Sequence, residues 1–101
     1  MGQLIDVVEK ATARHGMVRF ETNRALTGMA HERYRSIDDA DGNRPPDRVA
    51  RLLFGFGGVQ GVHIYGNQVT VQLEAGGSTA GMAEAIADLF IHYRPGVMPS
   101  L

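Results

Sequence analysis

The ten residues from Val62 to Val71, VHIYGNQVTV, allow very few folds. Gly66-Asn67 is a two-residue hairpin signal that calls for a primed turn with positive φ, and it sits between two runs that alternate apolar and polar residues. So short a turn sets the register: Ile64 opposes Val69 and Val62 opposes Val71. Those four share one face. His63, Tyr65, Gln68 and Thr70 share the other, and that face is polar. A sheet with one wet face is antiparallel in character, with helices covering the apolar side.

The flanking patterns supply the other elements. Leu4, Val7, Val8 and Ala11 fall at i, i+3, i+4, i+7, Asp6 and Lys10 are spaced for an i,i+4 pair, and Gly16 is a natural stop, so a leading helix is expected over 3–15. Met17 to Thr22, MVRFET, alternates as a half-buried strand. Residues 26–35 suggest a second strand antiparallel to the first, with a helix as the alternative because of Gly28 and Ala30. Ser36-x-x-Asp39 has the capping-box form, and DGNRPP at 41–46 is a loop. Asp47 is placed as an N-cap for a helix whose buried stripe is Val49, Leu52, Leu53 and Phe56, ended by Gly57 and Gly58. Met82, Ile86, Leu89 and Tyr93 mark a last helix, stopped by Pro95 and Gly96, before a loose tail over 95–101. The expected architecture is one α+β domain over 1–101, ordered α-β-β-α-β-β-α, with a small antiparallel sheet of about four strands covered on one face by helices.

Composition narrows the function classes. A length of 101 residues with 44% apolar content fits one globular domain, and a formal charge of −1 gives no bulk reason to expect a nucleic-acid or membrane partner. The absence of cysteine excludes disulfides, thiolate metal sites and a cysteine nucleophile. Asp6 and Glu9 interrupt any leading apolar run and no segment reaches membrane-spanning length, so a cytoplasmic protein is expected. Lys10 is the only lysine beside nine arginines, a bias that a GC-rich genome explains without a binding site.

Each candidate for chemistry has a plainer reading. His31 and Glu32 are adjacent potential ligands, but strand neighbours point to opposite faces, so iron or zinc would need His63 or His15 as well. Gly55 to Gly58 follows a helix instead of opening one, which removes the mechanism of a phosphate loop. Asp38, Asp39 and Asp41 lack the closing glutamate of a calcium loop. Ser36 and Ser78 have no nucleophile elbow around them. No catalytic constellation and no cofactor site emerge, and no metal site is assigned. The polar hairpin face, with His63, Tyr65 and Thr70, is a candidate docking surface for a protein partner, together with the segment from Arg24 to Arg35 that contributes Arg24 and Arg33.

From Val18 to Arg94 the chain resembles the N-terminal domain of the NifU/Nfu iron–sulfur scaffold family. The resemblance rests on Phe20-Glu21-Thr22 in the opening strand, and on Ser36, Asp39 and Ala40 in a Ser-x-x-acidic-Ala step. It continues through Ala50, Leu53 and Phe54 in the helix, Gly58, Val59 and Val62 in a GlyVal-x-x-Val pattern, Val69-Thr70-Val71 in a strand, and Ile86 and Tyr93 in the last helix. Where the family has Thr-Pro-Asn-Pro this chain has Thr22-Asn23-Arg24-Ala25, and the segment 3–15 lies outside the match. The resemblance implies an α+β fold and a non-catalytic adaptor that meets iron–sulfur assembly or target proteins; a bacterial origin is expected. The family's Cys-x-x-Cys belongs to a separate C-terminal domain, so cluster chemistry does not carry over to this chain. The alternative function is a small iron- or zinc-binding protein using His31, Glu32 and His63.

Overall fold

The computed structural model describes residues 6–28 and 30–91. Its elements run β1 (Val7–Ala11), β2 (Met17–Thr22), β3 (His31–Tyr34), a 3-10 turn (Ile37–Asp39), α1 (Pro45–Phe54), β4 (Val59–Tyr65), β5 (Gln68–Leu73) and α2 (Met82–Ile91). The five strands form one antiparallel sheet in the order β1-β2-β5-β4-β3. The α+β class and the antiparallel sheet follow the sequence pattern, whereas the strand count and the element order do not.

The hairpin β4–β5 has the expected register: Ile64 faces Val69, Val62 faces Val71, and Tyr65 faces Gln68 across the turn. Gly66 takes φ 59° and no non-glycine residue has positive φ among the described residues. Positive φ therefore falls on the first central residue alone, the signature of a II′ turn, which matches the twist of the flanking strands.

The expected helix over 3–15 is replaced by β1 across 7–11, while residues 3–5 lie outside the described part. Val7-Val8-Glu9-Lys10-Ala11 satisfies helical spacing and alternation equally well, and the partner decides. Val7 faces Thr22, Glu9 faces Phe20 and Ala11 faces Val18 along an antiparallel ladder with β2. Gly16 ends a hairpin instead of a helix, with φ 78° in the β1–β2 turn. Thr12 Oγ1 donates to Met17 O at 2.8 Å there and accepts from Arg14 N at 3.1 Å. Lys10 pairs with Glu21 across the strands at 3.1 Å, in place of an i,i+4 pair with Asp6.

The strand expected over 26–35 is confined to 31–34, and it pairs with β4 in place of β2. Leu26 is buried in the connection that precedes it, with its N–H donated to Gly66 O at 2.7 Å. After β3, Asp39 Oδ2 accepts from Arg35 N at 2.8 Å, while the Ser36 side chain makes no cap. Asp47 is not the N-cap of α1: Pro45 and Pro46 open the helix, Arg44 caps it, and Asp47 stands at N3, where its Oδ2 accepts from Arg44 N at 3.2 Å.

The core lies between one sheet face and the two helices. Phe20, Val62, Ile64, Val69 and Val71 from the sheet meet Val49, Ala50 and Leu53 of α1 and Met82 and Ile86 of α2, all at 3% exposure or less. Of the stripe expected for the first helix, Val49 and Leu53 are sealed, Leu52 is half-buried, and Phe56 is 41% exposed beyond the end of α1. Thr79 Oγ1 donates to Glu9 Oε2 at 2.8 Å and ties the start of α2 to β1. Tyr93 and the tail 95–101 lie outside the described residues.

This packing separates two positions of one expected stripe. Leu53→Ala is expected to cost about 2–5 kcal/mol, and Phe56→Ala about 1 kcal/mol or less. Urea unfolding of both variants checks the contrast.

Candidate functional site: the open face of the sheet

The helices cover one side of the sheet, and the strand residues facing the other side form rows across it. One row runs Lys10, Arg19, Thr70, His63 and Arg33. The next runs Val8, Glu21, Gln68, Tyr65 and His31. Of the expected site residues, His63, Thr70 and Arg33 thus stand side by side in one row, with Tyr65 in the adjoining one. Arg24 stands apart, in the loop after β2 at the sheet end near the 66–67 turn, where its carbonyl accepts from Thr22 Oγ1 at 2.5 Å.

Three cations on this face, Lys10, Arg19 and Arg33, stand against Glu21 as the only acidic strand residue there. Glu21 lies 3.1 Å from Lys10 Nζ and 3.5 Å from Arg19 Nε. Arg19 Nε is sealed from solvent and has no hydrogen-bond partner among the described residues. Arg33, unlike Arg19 and Lys10, has no carboxylate partner among them. Sequence reading missed Lys10, because a helix over 3–15 removes it from the sheet, and missed Arg19 and Glu21, because the strand 17–22 is expected against 26–35 and in fact pairs with β5. The signal that could have found them is the alternation Val8, Lys10 against Met17, Arg19, Glu21.

His31 joins the face through β3. Its ring stacks on Tyr65, with centroids 4.1 Å apart, and its Nδ1 lies 2.9 Å from His63 Nε2. One of those nitrogens must donate and the other accept, so the intact pair carries at most one positive charge. His63 is pushed below the usual imidazole value, first by burial, then by Arg33 and by His31. Glu32 does not join the two histidines. It points to the opposite face and takes two hydrogen bonds from Arg44, at 3.0 and 3.1 Å. No group of three or more His, Cys, Asp or Glu residues is placed to hold a metal ion among the described residues.

The far side of β3 is braced by a buried polar network. Tyr34 Oη donates to Asp47 Oδ1 at 2.7 Å, while Arg44 Nε and NH2 donate to the two Asp47 oxygens at 3.0 Å each. Asp47 is 3% exposed. The Arg44 hydrogen bonds hold its carboxyl below the usual carboxylate range against the opposing effect of burial. Burial and then Asp47 raise the Tyr34 phenol well above its ordinary value. Gly42 lies over this carboxylate, where a Cβ would collide with Asp47 Oδ2. Every group in the network has a partner, and it anchors β3 to α1.

The site and fold together define a small α+β protein with an open, basic sheet face and a helix-covered one. No protein-family model matches the chain, and no curated protein matches it. A solved structure, the crystal structure of protein SAV1430 from Staphylococcus aureus, is similar at a TM-score of 0.63 with 15% identity, over 87% of this chain and 99% of that one. At such identity the likeness shows a shared fold and nothing of function. No helix among the described residues is long and apolar enough to cross a membrane.

The two depressed groups define two acid windows. Stability linked to His63 is complete above the unfolded imidazole value of about 6.5 and is lost as pH falls through its lower folded value. Stability linked to Asp47 is complete above about 4 and is lost as pH falls through its folded value. His63→Gln is expected to flatten only the first window and Asp47→Asn only the second, in unfolding free energies measured from pH 7 to pH 3. Tyr34→Phe is expected to cost about 1–2 kcal/mol at neutral pH.

Proposed function

We propose that this chain is a non-catalytic interaction module that docks an acidic surface of a protein partner on the open face of its sheet. The observation that carries the reading is charge segregation. The cations Lys10, Arg19 and Arg33 of one row lie beside one partly neutralised carboxylate, on a chain whose formal charge is −1 overall. A basic face on a slightly acidic molecule steers complementary partners and repels other copies of itself. Tyr65, 40% exposed in the adjoining row, supplies the aromatic contact favoured at interface centres.

The partner class follows from the NifU/Nfu resemblance, which supports a place in iron–sulfur cluster assembly. Without cysteine, this chain would work beside a cysteine-bearing assembly or target protein. Full-length protein used as bait in the native host is expected to retain such partners, and Arg19→Glu with Arg33→Glu is expected to lose them. Raising the salt from 0.05 to 0.5 M, roughly a threefold shorter Debye length, is expected to weaken capture in the same way. Equal recovery of the same partners by both baits would overturn the reading.

One observation favours a second reading, a small metal-binding protein. The two histidine nitrogens 2.9 Å apart are near the separation of neighbouring ligands on one ion. The ligand set is then His31 and His63, since Glu32 is committed to Arg44. Titration with zinc or ferrous iron, followed by histidine NMR shifts, is expected to move both rings at near-stoichiometric metal if this reading holds. Unmoved shifts would remove it.

A further inference from the structure

The open face is not flat. Toward the start of β4, in the row next to His63 and Thr70, the strand carries Gly61, and the missing side chain leaves a cleft of about 240 Å³ bordered by Arg33, Arg35, His63, Thr70 and Gln72. Folding does not account for this glycine. Its φ lies in the range any residue adopts, so the irregularity in β4 between Val59 and Gly61 does not demand it. A Cβ at Gly61 would meet only Tyr34 O, at 3.4 Å, which is ordinary contact. Glycine weakens a strand interior, and its use there marks a place where another group comes close to the backbone.

The polar walls of the cleft are hydrogen-bond donors of one kind of site. Arg33 and Arg35 have no carboxylate partner among the described residues, and Asp39 takes only the Arg35 backbone N–H. The Thr70 hydroxyl and the Gln72 amide stand on the neighbouring strand, with Gln72 Nε2 held by a long 3.4 Å bond to Gly16 O. No carboxylate lines the cleft. Two guanidinium forks above a floor of bare backbone match the planar, bidentate geometry of a carboxylate.

We infer that the cleft over Gly61 is a carboxylate-binding site, and that its ligand is an acidic side chain of the docked partner. This rests on the docking reading for the source of the carboxylate and on the cleft itself for the chemistry. Seating one such group in the cleft removes the resulting ion pair from bulk water, which strengthens it relative to a pair on the flat rim.

The test is an NMR titration of the full chain with a capped tri-glutamate peptide, and with succinate in a separate arm. The peptide is expected to shift the Thr70 and Gln72 amides and the Arg33 and Arg35 Nε–H signals saturably. Gly61→Val fills the cleft and is expected to weaken the peptide about tenfold or more; Arg33→Gln, which leaves the strand interior untouched, is expected to do the same. Unchanged affinity in Arg33→Gln and in folded Gly61→Val would overturn the proposal, as would succinate binding as tightly as the peptide. Capture of the native partner separates the two readings. If Gly61→Val keeps the partner that Arg19→Glu with Arg33→Glu loses, docking stands and the anchor falls. If the cleft variants lose the peptide while charge reversal leaves the partner bound, the docking reading falls and the carboxylate site stands.

Discussion

Every face in this molecule is assigned by the register that the Gly66-Asn67 turn imposes on β4 and β5. Strand side chains alternate with a period of two, so a slip of one residue would carry Val62, Ile64, Val69 and Val71 to the solvent side and bury His63 and Thr70. The two strands occupy the middle of the sheet, with β2 built on one flank and β3 on the other. Both neighbours inherit the same division. Phe20 enters the core because it faces Val69, and Arg19 stays out because it faces Thr70.

That division also organises the charge. On the helix-covered side Arg44 takes up both Asp47 and Glu32. The open side leaves cations in excess, and among the described residues the buried Arg19 Nε faces Glu21 at 3.5 Å with no hydrogen bond. The Tyr34–Asp47 bond connects the two regimes, because it holds β3, and with it Arg33 and His31, in fixed register beside β4.

How far the sequence could be read depended on whether a signal was local. The hairpin was legible because a two-residue turn and strict alternation have few alternatives. The stripes Val49–Leu53 and Met82–Ile86 were legible because burial at helical spacing repeats within one element. Val7 to Ala11 was not, since five residues fit either period and only the ladder with β2 chooses between them. The open face was half legible for the same reason: His63, Tyr65 and Thr70 follow from the hairpin, while Lys10 and Arg19 reach it only through pairing with strands outside the hairpin.

The sequence by itself determined the hairpin register, the polarity of its two faces, the α+β class and the exclusion of cysteine chemistry, all of which depend on residue type and short-range spacing. Tertiary structure alone decided that the leading segment is a strand, that β3 lies against β4, that His31 meets His63 while Glu32 turns away to Arg44, and that Gly61 opens a cleft beside Arg33 and Arg35. Those outcomes depend on contacts between residues far apart in the chain, whose free energy no local propensity encodes.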